Sequence, residues 1–391
     1  MNIEDIVKNI EDYVIEQRRY FHENPELSWE EFNTSKRVQE ELEKMGIPFE
    51  TGCETAVIGT IRGAHEGPVL GIRADMDALP VVEETGLSFA SKNPGVMHAC
   101  GHDAHTATLL GAAKVLNEMK DKIKGSVKLV FQPAEEDIAN SGAKCVLTMD
   151  GFKDIDRMIA LHYMTTIPSG EALLKSGPLM ASSDTFDIYI NGKGGHGAIP
   201  SSAIDPIVAG SLAVTALQTF VSRENNPSDT SVLTIAAFNS GDTPNVIPER
   251  AQLKGSTRNV SNDVRNGMEE KMRRILDGVA LSTRTEIKLD YHHGSPATIN
   301  DKEASDLGEK ILEEIFGDGF SNDFPTVMGS EDFSRYLEII PGCMTMIGAT
   351  IEGKEYPHHN EKFDINEDVL INGVEYFVRY ALEYLLFHII T

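Results

Sequence analysis

Residues 184–192, DTFDIYING, alternate: Phe186, Ile188 and Ile190 fall on one side of an extended chain and their polar neighbours on the other. A two-residue period of this kind marks a strand with one buried and one solvated face. Downstream, 205–222 reads as a helix, SVLTIAAF (231–238) and RAQLKGSTR (250–258) as strands, 263–281 as a second helix, and RTEIKLDYHH (284–293) as a closing strand. The order β-α-β-β-α-β predicts a smaller ferredoxin-like α+β domain over 179–294.

Upstream the pattern differs. Short apolar runs, PVLGIR (68–73), SVKLVF (126–131) and RMIAL (157–161), each end in a polar cluster. Between the first two, TATLLGAAKVLNEM (106–119) places Leu109, Ala113 and Leu116 at helical spacing. Strands alternating with helices predict an α/β domain with a mixed, mostly parallel sheet flanked by helices. The opening segment to about Gly46 reads as helix, interrupted at HENPEL (22–27) because a proline disfavours helix in the residue before it. After Pro296 helical segments return, 302–316 and 367–388, around the strand CMTMIGA (343–349). The expected organisation is a main α/β domain, 1–178 with 295–391, interrupted by the inserted one.

A chain of 391 residues, 41% hydrophobic and 25% charged, is globular and long enough for two domains. Its formal net charge of −26 argues against a nucleic-acid partner, which needs a basic face, and against a polybasic hold on a membrane surface. No run of about 18 apolar residues offers a membrane span. The amino terminus lacks a basic start followed by an apolar core, so no signal peptide is expected. Four scattered cysteines, at 53, 100, 145 and 343, fit a reducing compartment, with Cys53, Cys145 and Cys343 read as small buried hydrophobes. A cytoplasmic location is the expectation.

Chemistry-bearing residues gather in a few places. VMHACGHDAHTA (96–107) holds one cysteine and three histidines just before a predicted helix. Cys100 and His102, two apart across a glycine, can share a borderline-soft ion. Asp75 and Asp77, Glu135 and Glu136, and His162 each follow a predicted strand, and open α/β sheets bind ligands at the carboxyl ends of their strands. Glu-Glu pairs usually mark solvated acidic patches, but the pair after Gln132-Pro133 is placed to aim one carboxylate at an ion and leave the other to move a proton. A lone histidine at a strand end, such as His162, is more often a satisfied structural group than a ligand.

RADMDALP (73–80), MHACGHDAHTA (97–107), FQPAEE (131–136), LHYMTTIPSG (161–170), GKGGHGAIP (192–200), PNVIPE (244–249), GSEDFS (329–334) and HHNEKFDI (358–365) occur in this order, preceded by RRYFHENPEL (18–27). Together they resemble the signatures of the metal-dependent N-acyl-amino-acid amidohydrolases, a group of hippurate hydrolases, aminoacylases, carboxypeptidases and auxin-conjugate hydrolases. The resemblance implies that Cys100, His102, Glu136, His162 and His359 hold two divalent ions; one thiolate among imidazoles and carboxylates allows zinc, manganese, cobalt or nickel. It makes Glu135 the general base, and Asp77 the aspartate that orients a ligand histidine. His196 becomes the stabiliser of the oxyanion in a neighbouring subunit, and Asn245, Gly329, Ser330 and Arg258 become substrate-binding. It further implies that the main domain is catalytic and the inserted one a lid and dimerisation domain of a homodimer. Asp75 stands where many wider relatives have a ligand histidine. His358 departs from a usual leucine and is expected to line the pocket or lie exposed. His105 is expected to make a hydrogen bond at the helix start rather than to bind metal.

The implied reaction is hydrolysis of the amide of an N-acyl amino acid, a small-molecule substrate. A metallocarboxypeptidase or dipeptidase would use the same ions and base. A non-catalytic small-molecule binder would have no use for Glu135, and a structural zinc site would favour a closed set of four Cys/His ligands.

Overall fold

The computed structural model describes residues 3–387, so the end of the helix expected over 367–388 lies outside the described residues. The chain forms two compact units. The larger takes the chain up to Leu179, Ile299–Pro325 and the chain from Asp332 on; the smaller takes Met180–Thr298 and Thr326–Glu331. The segment 326–331 goes with the smaller unit because the Ala181 N–H donates to the Val327 carbonyl at 2.9 Å.

In the larger unit eight strands run, edge to edge, as Phe49–Gly52, Ala56–Arg62, Lys124–Gln132, His65–Asp75, Arg157–Met164, Gly342–Gly348, Ala172–Leu173 and Phe320–Ser321. Lys124–Gln132, His65–Asp75, Arg157–Met164 and Gly342–Gly348 are mutually parallel. Antiparallel neighbours, Ala56–Arg62 and Ala172–Leu173, flank them, so the sheet is mixed. Leu70, Ile72, Leu129, Phe131, Ile159, Leu161 and Ile347 are all buried in these strands, in one core with Val14, Phe21, Leu109, Leu116, Val374 and Phe377 of the helices. Parallel strands buried on both faces have no solvated side to give to polar residues, hence their near-continuous apolar runs. Gly111 of the helix His102–Glu118 lets two other helices close in: a Cβ there would lie 2.7 Å from Val14 and 2.9 Å from Val374, inside the optimal separation of carbon atoms.

The smaller unit has a four-stranded antiparallel sheet in the order Ser231–Asn239, Arg250–Asn259, Asp184–Asn191, Glu286–His292. Helices Pro206–Thr219 and Asn262–Thr283 bury Ala209, Ala213, Leu217, Met268, Met272 and Leu276 against Phe186, Ile188, Ile190, Leu253 and Leu289. Asp205 starts the first helix by accepting from the Ile207 and Val208 amides, a cap whose loss typically costs about 1 kcal/mol. Asp184 shares the buried parity of Phe186 and is therefore paired: Arg265 reaches it at 2.8 Å, the Tyr291 hydroxyl at 3.0 Å and the Gly294 amide at 2.9 Å.

One expectation is corrected. Cys53 and Cys145 form a disulfide across a sequence separation of 92, while Cys343 is buried and unpaired as expected. Pairing between such distant cysteines is set by the fold, which their spacing does not reveal. Cysteine usage therefore no longer points to a reducing compartment. Among the described residues no helix is long and apolar enough to cross a membrane.

Candidate metal centre

The parallel strands deliver their polar residues to one end of the larger unit. Asp75 closes the strand His65–Asp75 and Asp77 follows it; Glu135 and Glu136 follow Lys124–Gln132; His162 lies near the end of Arg157–Met164; Cys100 precedes the helix His102–Glu118. Gly101, at φ +92°, makes the left-handed turn into that helix, a conformation that glycine adopts without the steric penalty of a Cβ.

Donor atoms of Cys100, His102 and His162 lie within 4.8 Å of one another, as do those of Cys100, Glu136 and His359 and those of His102, Glu135 and Glu136. Cys100 Sγ is 3.6 Å from His162 Nε2. His359 Nε2 is 3.2 Å from Glu136 Oε1, without hydrogen-bond geometry. Both His102 Nε2 and Glu136 Oε1 are buried and lack a hydrogen-bond partner. Leaving such a group unpaired costs about 1–3 kcal/mol, and a divalent cation would relieve it. One thiol among imidazoles and carboxylates suits a borderline cation. The residues fit a pair of divalent ions, with Cys100 common to two of the clusters.

Burial works against a charged His102, but Asp75 and Cys100 outweigh it and hold the imidazole well above its ordinary range. Burial and the Glu136 carboxylate push the Cys100 thiol up. The adjacent Cys100 and Glu136 push His359 up to about 10, whereas burial, His105 and His358 drive His162 well down.

Hydrogen bonds fix the ring orientations. His162 Nδ1 faces the Tyr163 carbonyl at 2.9 Å; a carbonyl only accepts, so the proton sits on Nδ1 and Nε2 is left for an ion. His102 Nδ1 likewise donates to the Asp77 carbonyl at 2.8 Å, with Asp77 Oδ1 at 3.2 Å. Asp77 is buried and also accepts from the Ser28 hydroxyl at 2.7 Å, the Glu135 amide at 3.1 Å and the Glu136 amide at 3.0 Å. A single carboxylate thus orients a histidine and the backbone of both glutamates.

Three neighbours are otherwise engaged. His105 Nδ1 lies 2.7 Å from Asp75 Oδ1 and its Nε2 accepts the Tyr163 amide at 3.1 Å. Asp75 pairs through its second oxygen with Arg73 at 2.6 Å; burial raises its carboxyl, but Arg73 and His102 hold it well below the usual range. His358, read as pocket-lining or exposed, is half-buried and donates from Nε2 to the Tyr163 carbonyl at 2.9 Å.

A supporting network was not legible in the sequence. Arg73, within a buried strand, also reaches Gln132 at 2.9 Å and Asp332 at 2.8 Å. Gln132 accepts from the Tyr336 hydroxyl and Asp332 from that of Ser141. An arginine inside an otherwise apolar run was the available signal. The opening RRYFHENPEL braces the helix start in the same manner. Arg18 and His22 hold Asp103 at 3.0 and 2.8 Å, and Arg18 reaches Asp364 at 3.0 Å.

In the smaller unit His196 is exposed on a two-stranded ribbon, Gly195–His196 against Val246–Ile247. Its Nδ1 accepts the Ala198 amide at 3.1 Å, so the neutral ring carries its proton on Nε2. The Asn245 carbonyl accepts the Gly197 amide beside it at 2.9 Å. Arg258 donates to the Ser330 hydroxyl at 3.1 Å, next to Gly329.

Residues 71–383 match Peptidase family M20/M25/M40. The chain is 41% identical over 373 residues to thermostable carboxypeptidase 1 of Saccharolobus solfataricus, covering 94% of each. It is 39% identical over 385 residues to the N-acetyl-L-cysteine deacetylase of Bacillus subtilis, covering 97% of this chain and 90% of that one. Among solved structures, a dinuclear metal-binding peptidase of the M20 family from Bacillus subtilis superposes with a TM-score of 0.84 at 34% identity, over 97% of this chain and 99% of that one.

Proposed function

The chain belongs to peptidase family M20/M25/M40 and is a metal-dependent amidohydrolase; on that premise we propose that it cleaves the acyl group from N-acyl amino acids. Two divalent cations, when bound, polarise an amide carbonyl and make water acidic enough to ionise near neutral pH. We assign their binding to Cys100, His102, Glu136, His162 and His359. The observation that carries this is the pair of buried, unpartnered donors, His102 Nε2 and Glu136 Oε1, in clusters that include Cys100.

Glu135 is the proposed base. It takes a proton from the attacking water and delivers it to the departing amine, help typically worth about 100- to 10,000-fold. Asp77 supports it by holding the Glu135 and Glu136 amides. His196 is assigned to the oxyanion of a partner subunit's site, through the proton on Nε2. Asn245, Gly329, Ser330 and Arg258 are assigned to the substrate's backbone or carboxylate, supported by the Arg258–Ser330 contact.

The test combines two variants and elemental analysis. Glu135→Gln is expected to keep fold and metal and lose turnover, and Cys100→Ala to lose metal. Turnover by the first, or unchanged stoichiometry in the second, removes the corresponding role. A peptidase reading stands beside this one because a relative of similar identity is a carboxypeptidase. Comparing acetyl-, benzoyl- and aminoacyl-amino acids on protein reconstituted with each metal separates them.

The smaller unit is read as ferredoxin-like on its strand order and as the dimerisation domain. Ile207, Val208 and Leu212 on its first helix, and Val232 and Phe238 on the edge strand Ser231–Asn239, are exposed apolar side chains. Sedimentation of the wild type against a Val208→Glu/Leu212→Glu variant tests that face. A cytoplasmic location is kept as a proposal; the Cys53–Cys145 disulfide weighs against it, and subcellular fractionation decides.

A further inference from the structure

Glu31 lies far from the candidate ligands in sequence, is 0% exposed, and spends its carboxylate on backbone and turn. Oε1 accepts the Ala134 amide at 2.8 Å and the Trp29 amide at 3.0 Å, and Oε2 accepts the Thr55 hydroxyl at 2.8 Å. The three segments tied in this way share an unusual backbone. Trp29 (φ +68°), Cys53 (φ +47°), Glu54 (φ +63°) and Ala134 (φ +50°) all occupy the left-handed region without being glycine. Such conformations persist only where the surroundings over-determine them. Ala134 is the residue from which Glu135 departs.

The far end of the same loop is tethered to the same turn. The Gly142 amide donates to the Ala134 carbonyl at 3.0 Å, and a Cβ on Gly142 would meet the Pro133 carbonyl at 1.8 Å, so only glycine closes the loop there. Cys145, on the short helix Gly142–Val146, is bonded to Cys53, and the Thr55 amide donates to the Cys53 carbonyl at 2.7 Å. Residues 134–142 are thus fastened at one end through Glu31 and Thr55 and at the other through the disulfide.

We propose that Glu31 is a positioning residue for Glu135, and that the Cys53–Cys145 disulfide is the second tether of the same brace, the two together holding Ala134 left-handed and so setting how Glu135 enters the site. This rests on the reading of Glu135 as base. Glu31 touches neither substrate nor ion; it acts through the backbone.

The experiment uses the full-length, metal-loaded enzyme and reads kcat, KM, bound metal and amide exchange over 133–141. Glu31→Ala is expected to lower kcat about 10- to 100-fold, the scale on which small misplacements of a reacting group act, with KM and metal stoichiometry unchanged and exchange over 133–141 accelerated. Glu31→Gln should restore most of kcat, because its amide oxygen accepts both N–H groups and its NH2 donates to Thr55. A phosphine reductant opens the disulfide to two thiols and becomes the phosphine oxide, water supplying the oxygen. It should lower kcat and speed the same exchange, while a Cys53→Ser/Cys145→Ser variant starts at the reduced rate and does not respond. Unchanged kcat and exchange in Glu31→Ala, or a kcat loss that tracks lost metal, overturns the proposal. Should Glu31→Ala not fold, unchanged kcat and exchange on reduction does so. Glu135→Gln is run in parallel: if it turns over, the reading of the base fails, while exchange over 133–141 still judges the brace.

Discussion

The Asp77 carboxylate is buried and accepts hydrogen bonds from Ser28, His102 and the amides of Glu135 and Glu136, whereas the His196 ring stands exposed on a short ribbon and accepts the Ala198 amide. Both are assigned to one reaction. Around Asp77 charge is sealed in, so each polar atom needs a partner and the residues that organise chemistry also hold the fold together. Around His196 water solvates whatever the protein leaves unpaired. Function should therefore separate from stability at His196 and not beneath the metal centre.

The largest expected effect tests the sealed side. Arg73→Met leaves Asp75 and Asp332 buried without their shared cation, and breaking such a pairing costs about 3–5 kcal/mol. Thermal or urea unfolding checks it, and a midpoint equal to wild type would break the contrast. His196→Ala tests the open side: kcat should fall about 100- to 1,000-fold, as when an oxyanion donor is removed, while stability stays within about 0.5 kcal/mol. A matching loss of stability would put His196 in the same category as Arg73.

Two smaller effects sharpen the picture. Burial, and then the charge of Asp77, push the Glu31 carboxyl up to about 7 from an ordinary 4.5. The native state then binds a proton that the unfolded chain has released, so this group's contribution falls as pH rises from 4.5 through 7, by roughly 2–3 kcal/mol. Glu31→Gln should remove that slope from a stability–pH profile, and parallel profiles would show that Glu31 ionises normally. Asp77→Asn should weaken metal binding about 10- to 100-fold, the usual cost of losing an orienting partner. A competition titration with a chelator reads it.

Much of the centre was visible as residue types in order. Cys100-Gly101-His102 before a helix, and Glu135-Glu136 after a strand and a proline, carry their chemistry locally, and the structure brings them together with His162 and His359. Choosing between His358 and His359 needed the resemblance; in the fold His359 faces Glu136 while His358 is spent on a carbonyl. Gln132, Asp332 and Glu31 gave no local sign, and Arg73 only that of an arginine in an apolar run, because their partners lie far along the chain: Arg73 to Asp332 and Glu31 to Ala134. The bond between Cys53 and Cys145 was hidden for the same reason.

Periodicity depends only on neighbours a few residues away, which is why the sequence alone marked off continuous strands from alternating ones and placed each polar cluster at a strand end. Pairing depends on which distant segments share an interior. The disulfide, the buried arginine network and the carboxylate brace behind Glu135 were decided by tertiary packing, since burial is what forces a polar group to find a partner and only the fold says which one is within reach.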